Sequence, residues 1–129
     1  VTEAKLMTEK IKGVEKWDMQ LVGVGLDGHI GSLYPESEAI GVTGRGIVSV
    51  VKPASSSISF TLEEIMSTDE IVIACCGVSE KYPLGKAEGM ARALEREETK
   101  ESFPACALRN SALWLLDEGA ASLLENKAE

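Results

Sequence analysis

The chain has 129 residues, of which 44% are hydrophobic and 26% charged. These values fit one soluble domain spanning residues 1–129 and exclude global disorder. A net charge of −8 repels phosphate backbones, so nucleic-acid binding is not expected, although a few local cations can still hold a small anion.

In chain order, Thr2 to Lys12 carries Ala4, Leu6, Met7 and Ile11 at roughly helical spacing, which predicts a helix ending near Gly13. Met19 to Val24 predicts a buried strand, followed by a glycine-rich turn from Gly23 to Gly31. Gly46 to Val51 and Ser57 to Thr61 predict two more strands. Thr61 is placed to N-cap a short helix with Glu63 and Glu64 in its first turn. Glu70 to Cys76 gives the strongest buried-strand signal. A helix is predicted over Gly85 to Glu97, a strand over Ala112 to Leu116 and a last helix over Glu118 to Leu124. Strands alternating with helices predict a parallel sheet covered on both faces, with ligands gathering at the carboxyl ends of its strands.

Several residues have plain structural readings. Trp114, Leu115 and Leu116 are expected in the core, Trp17 at the start of a strand, and Asp117 as the cap of the last helix. The acidic run Glu95 to Glu101 and the cations Arg45 and Lys52 are expected to be solvated. With one histidine and no Cys-x-x-Cys pair, a structural zinc site is not expected. Cys75 and Cys76 lie in an apolar run and are expected to be buried and reduced. No apolar run reaches bilayer-spanning length, and Val1 to Lys10 does not read as a signal peptide, so no membrane association is expected and the cytoplasm is the expected compartment. The chain opens on Val rather than Met, which leaves earlier processing open.

The distinctive segment is Gly23-Val24-Gly25-Leu26-Asp27-Gly28-His29-Ile30-Gly31-Ser32-Leu33-Tyr34-Pro35. Its glycines permit positive φ and close approach of backbone to a ligand. It holds the only histidine, two residues from Asp27 and just after a buried strand. A neutral imidazole is suited to general-base work, and a carboxylate can fix its tautomer. On the residues alone, structural and catalytic roles for His29 both stand. Gly23-x-Gly25-x-x-Gly28 matches a dinucleotide fingerprint formally, but no helix is predicted to open there.

This segment resembles the G-x-G-x-D-G-H-T-A-S-L-F-P signature of 6-phosphogluconolactonases, in the superfamily they share with glucosamine-6-phosphate deaminases. Ser57-Ile58-Ser59-Phe60-Thr61-Leu62-Glu63-Glu64-Ile65 resembles that family's R-I-T-L-T-L-P-x-I block. The stretch 85–95 resembles its G-x-x-K-A-x-A-L segment, and 112–124 its closing T-W-L-L-D-x-x-A-A-x-L-L. The resemblance covers nearly everything from Lys16 onward and corresponds to the family's C-terminal half. It implies a Rossmann-like three-layer α/β sandwich with a mostly parallel sheet, of the CoA-transferase-like kind, incomplete in this chain.

The resemblance also implies a reaction: hydrolysis of 6-phosphoglucono-lactone, a step of the pentose phosphate pathway, without metal or other cofactor. His29 would activate water and Asp27 would orient the imidazole. The glycine turn, with Gly25 and Gly28, would offer backbone N–H groups to an oxyanion. Lys86 would take the phosphate at a helix start, with Lys81 as its rival, and Ser57 and Arg109 as further substrate contacts. The deaminase motif D-G-H-I-A-F-N-E-P carries a glutamate where this chain has Tyr34, which favours the lactonase. A non-catalytic sugar-phosphate-binding or interaction subunit is the third reading.

Two departures stand out. The family's arginine in the R-I-T-L-T block is Ser57 here, which removes a bidentate phosphate partner. The family's N-terminal half, with its S-G-G-[ST]-T-P-like loop, has no counterpart in this sequence. The expectation is an exposed apolar edge or face that needs that half or a partner chain; a longer or cleaved polypeptide, a partner chain and a degenerate relative all remain open.

Overall fold

The computed structural model describes residues 1–83 and 85–126. Three parallel strands form its centre: β1 (Met19–Leu21), β4 (Glu70–Cys75) and β5 (Ala112–Leu116), in the order β1-β4-β5. The strands predicted over Gly46–Val51 and Ser57–Thr61 form at Ile47–Lys52 (β2) and Ser55–Phe60 (β3). They do not join this sheet, but pair with each other as an antiparallel hairpin. Pro53 and Ala54 form the tight turn between them, because Ser55 pairs directly with Lys52.

Helix α1 (Thr2–Ile11) packs on that hairpin. Thr61 caps α2 (Leu62–Met66) by accepting a hydrogen bond from the Glu64 N–H at 3.2 Å. Helix α3 (Ala87–Leu94) is shorter than predicted. Its last carbonyls are taken by Arg109, whose guanidinium donates to Ala93 O, Arg92 O and Arg96 O. Burial gathers Ile71, Ile73 and Cys75 of β4 with Ile30, Leu33, Met90, Phe103 and Leu108 into one core.

The other face of the parallel sheet is bare. Leu21, Val72 and Leu113 lie side by side in register, with Ala74 and Leu115 one step further on. Leu21 is 79% exposed, Leu113 58% and Leu115 51%. The sheet is therefore covered on one face, not two, and Leu115 is not a core residue. No described element crosses this face, because α1 is used by the hairpin. Among the described residues no helix is long and apolar enough to cross a membrane.

Three smaller expectations are corrected. Residues 118–124 form successive turns rather than a helix. Gly119 lies so close to the backbone at Gly77 that a Cβ on Gly77 would stand 2.2 Å from the Gly119 carbonyl carbon. That contact holds the segment outside helical geometry, while Asp117 still caps its first turn by accepting from Ala120 N–H at 2.8 Å. Cys76 is exposed, although Cys75 is buried. Arg45 is not free in solvent. It clamps Glu64, which is 3% exposed and also accepts from Trp17 Nε1 at 2.7 Å. The Arg45 hydrogen bond, chiefly, holds the Glu64 carboxyl below its ordinary value.

Candidate active site

β1 and β4 are neighbouring parallel strands, so the chain leaves both at the same end of the sheet. The segment after β1 carries Asp27 and His29. The connection after β4 leads to Lys86 at the start of α3. Sheet topology therefore brings these two sequence-distant segments together at the carboxyl edge, where α/β sheets hold ligands.

The 23–34 loop is anchored from below by Ile30 and Leu33, both fully buried. Val24 bridges to Ile30, and Ile30 to Leu33. Between these anchors the chain makes a tight excursion: Gly28 N–H donates to Gly25 O at 3.0 Å, and Gly25 N–H to His29 O at 2.9 Å. Gly28 has φ of 87°, and a Cβ there would stand 2.5 Å from the Phe103 ring. Its carbonyl accepts from Ala105 N–H at 2.9 Å, which ties the excursion to the short 3-10 helix Pro104–Leu108.

At the tip, Asp27 Oδ1 accepts twice from His29, from the backbone N–H at 3.1 Å and from Nδ1 at 2.6 Å. Partial burial pushes the Asp27 carboxyl up, but the His29 backbone N–H, the imidazole hydrogen bond and its charge outweigh this and hold it below the ordinary carboxylate value. An ionised carboxylate can only accept, so Nδ1 must carry the proton. The lone pair of the neutral ring then sits on Nε2, for which no partner exists among the described residues. The arrangement can take a proton from a water or hydroxyl placed at Nε2.

The cleft beside the imidazole is lined by Gly23, Val24, Gly25, Gly31 and Lys86. Lys86 Nζ donates to Val24 O. Tyr34 lies on the ring itself, with centroids 4.6 Å apart. A more apolar groove lined by Met7, Leu21, Val22, Ile47 and Ile58 adjoins it through Gly23 and Gly31. That groove has no titratable side chain, so the chemistry belongs to the cleft beside His29.

The other site residues expected from sequence fall in different places. Ser57 reaches the loop, donating to Ser32 Oγ at 2.9 Å. Arg109 does not line the cleft; it caps α3 as described above. Lys81 lies in a turn beside the Tyr82 ring and does not line the cleft either. The N–H groups of Gly25, Gly28 and His29 are engaged within the loop, so the oxyanion role expected of this turn does not fall to them. Gly25 has a different duty: a Cβ there would lie 2.2 Å from both Cε1 and Nδ1 of His29. Gly25→Ala is therefore expected to swing the ring off Asp27 and to lower turnover by about a hundredfold, with little change in Tm. Kinetics combined with imidazole nitrogen chemical shifts would check this; unchanged shifts would contradict it.

The family of glucosamine-6-phosphate isomerases/6-phosphogluconolactonase matches residues 2–116. The chain belongs to this family. It is 36% identical over 121 residues to the 6-phosphogluconolactonase of Streptomyces coelicolor, covering 90% of this chain and 44% of that one. Among solved structures, 6-phosphogluconolactonase from Trypanosoma brucei superposes with a TM-score of 0.73 at 19% identity, covering 94% of this chain and 52% of that one. A monomeric glucosamine-6-phosphate deaminase superposes at 0.72 with 24% identity, covering 95% and 54%. The fold is thus shared with both branches of the family. The chain spans about half the length of the relatives it matches.

Proposed function

We propose that this chain carries the proton-transfer half of a site that hydrolyses a phosphorylated sugar lactone, 6-phosphoglucono-lactone by family. The observation that carries this reading is the Asp27–His29 pair, 2.6 Å apart, with Nε2 open to the cleft. His29 takes a proton from water as the hydroxide adds to the lactone carbonyl. The protonated ring then returns it to the ring oxygen as the C–O bond breaks, giving the open-chain acid. Lys86 Nζ, at the cleft wall, is the cation that meets the phosphoryl group. Tyr34 separates this reading from deamination: at the position where the deaminase motif has a carboxylate, it offers an aromatic face to His29.

The bare face at Leu21, Val72, Leu113 and Leu115 is read as the seat of the family's other half, supplied by the same polypeptide or by a partner chain. That half would also bring the phosphate loop that this sequence lacks. The test is hydrolysis of freshly made 6-phosphoglucono-δ-lactone by the full-length protein, corrected for spontaneous opening, beside ammonia release from glucosamine 6-phosphate. Lactone turnover without ammonia is expected. Ammonia release would move the chain to the deaminase branch, and binding without either reaction would make it a non-catalytic relative.

A further inference from the structure

In a chain with net charge −8, several cations find a carboxylate. Lys12, Lys16, Arg45, Arg92, Arg96 and Lys100 are all in ion pairs. Lys5, Lys10, Lys52, Lys81, Lys86 and Arg109 are in no ion pair among the described residues; of these, Lys52 and Lys86 touch the His29 loop. Lys86 is already placed in the proposed site. Lys52 is not, and its surroundings give it a defined position.

Lys52 ends β2, and its ammonium stands 3.0 Å from the centroid of the Tyr34 ring. Tyr34 in turn lies 4.6 Å from the imidazole, tilted by 34°. Lysine and histidine thus both contact the Tyr34 ring, and the quadrupole of that ring favours the ammonium there. The hairpin register adds hydroxyls to the same wall. Ser55 pairs with Lys52, Ser57 with Val50 and Ser59 with Val48, so all three serines project from the face that carries Lys52. Ser57 Oγ donates to Ser32 Oγ at 2.9 Å, and Ser59 Oγ accepts from Ser32 N–H at 3.0 Å. The wall is therefore fixed to the catalytic loop at Ser32 and at Tyr34, on either side of Leu33.

We infer that Lys52 is a substrate-binding residue of the His29 site, which meets the phosphoryl group of the sugar from the hairpin side, with Tyr34 as its rest. An unpaired ammonium in an otherwise negative field attracts an anion to its own location, and a phosphoryl dianion has charge for a second cation besides Lys86. The inference rests on the sugar-phosphate reading above, but not on turnover.

The test uses the full-length protein and compares wild type, Lys52→Met and Lys52→Arg. Binding of 6-phosphogluconate and of unphosphorylated gluconate is measured by calorimetry, and lactone turnover is measured in parallel. Lys52→Met is expected to weaken 6-phosphogluconate binding by about tenfold or more and to raise KM similarly, with gluconate binding and kcat unchanged. Lys52→Arg should keep affinity within about threefold, since the charge is retained. Lys52→Met binding 6-phosphogluconate as wild type does would overturn the inference, as would equal losses for both ligands. So would a wild-type protein that fails to bind 6-phosphogluconate. If wild type binds it but turns over no lactone, the catalytic reading fails while the Lys52 comparison still decides this one. Unchanged Tm across the variants excludes unfolding as the cause of any loss.

Discussion

His29→Ala in the full-length protein is expected to lower kcat for the lactone by about 10²–10⁴-fold, the range supplied by a positioned general base. The loss should fall on kcat more than on KM, because in the proposed reaction the imidazole acts on water and the ring oxygen rather than on the phosphoryl group. Stability should change little. The side chain is 33% exposed, and Ile30 and Leu33 anchor the loop without it. Asp27→Asn should give a smaller loss. An amide can still bond Nδ1, but it can present its NH₂ group and stabilise the wrong tautomer, with the proton on Nε2. Initial rates at several pH values, corrected for spontaneous hydrolysis, would check both variants. A His29→Ala rate within a factor of two or so of wild type would remove the imidazole from the mechanism.

The largest structural effect is expected from Phe103→Ala, a loss of about 3–5 kcal/mol. Phe103 is fully buried and fills the space that Gly28 leaves by having no side chain. Arg92 stacks above its ring at 4.3 Å, itself paired with Glu98. Deleting the ring would open a cavity directly under the Asp27–His29 excursion, so activity should fall together with stability. Urea unfolding of the full-length protein, followed in parallel with lactone turnover, would measure both. A loss below about 1 kcal/mol would mean that the loop collapses onto the Pro104–Leu108 helix without strain and that Phe103 is not its support.

What could be read from sequence was mostly local. The 23–35 segment was legible because its information lies in adjacent residues: glycines at the tight positions, apolar anchors at Ile30 and Leu33, and a carboxylate two places from an imidazole. β1, β4 and β5 were legible as apolar runs, and Thr61 as a cap. The partners of distant residues were not legible. Nothing in the spacing says that Arg45 would reach Glu64, that Arg109 would end α3, or that Lys52 would lie on Tyr34. Each depends on register or on the crossing of elements, which the one-dimensional pattern does not encode. The β2–β3 hairpin illustrates the point. Both strands were expected, but their antiparallel pairing follows from the Lys52–Ser55 turn, which is too tight for a crossover. The helix expected after Asp117 failed for a related reason, the backbone contact between Gly77 and Gly119.

The tie between Gly28 and Ala105 also bears on how the molecule is made. The carbonyl that steadies the His29 excursion is held by an N–H far along the chain, and Lys86 reaches Val24 across a comparable stretch. These contacts close large loops, whose entropy must be overcome before the contacts can contribute. The cleft is therefore expected to close late in folding, once β4 lies beside β1 and the 104–108 turn beneath the loop. A chain emerging from the ribosome holds its imidazole long before it holds a site. Formation of the Gly28–Ala105 hydrogen bond would then mark completion of the fold rather than its nucleation.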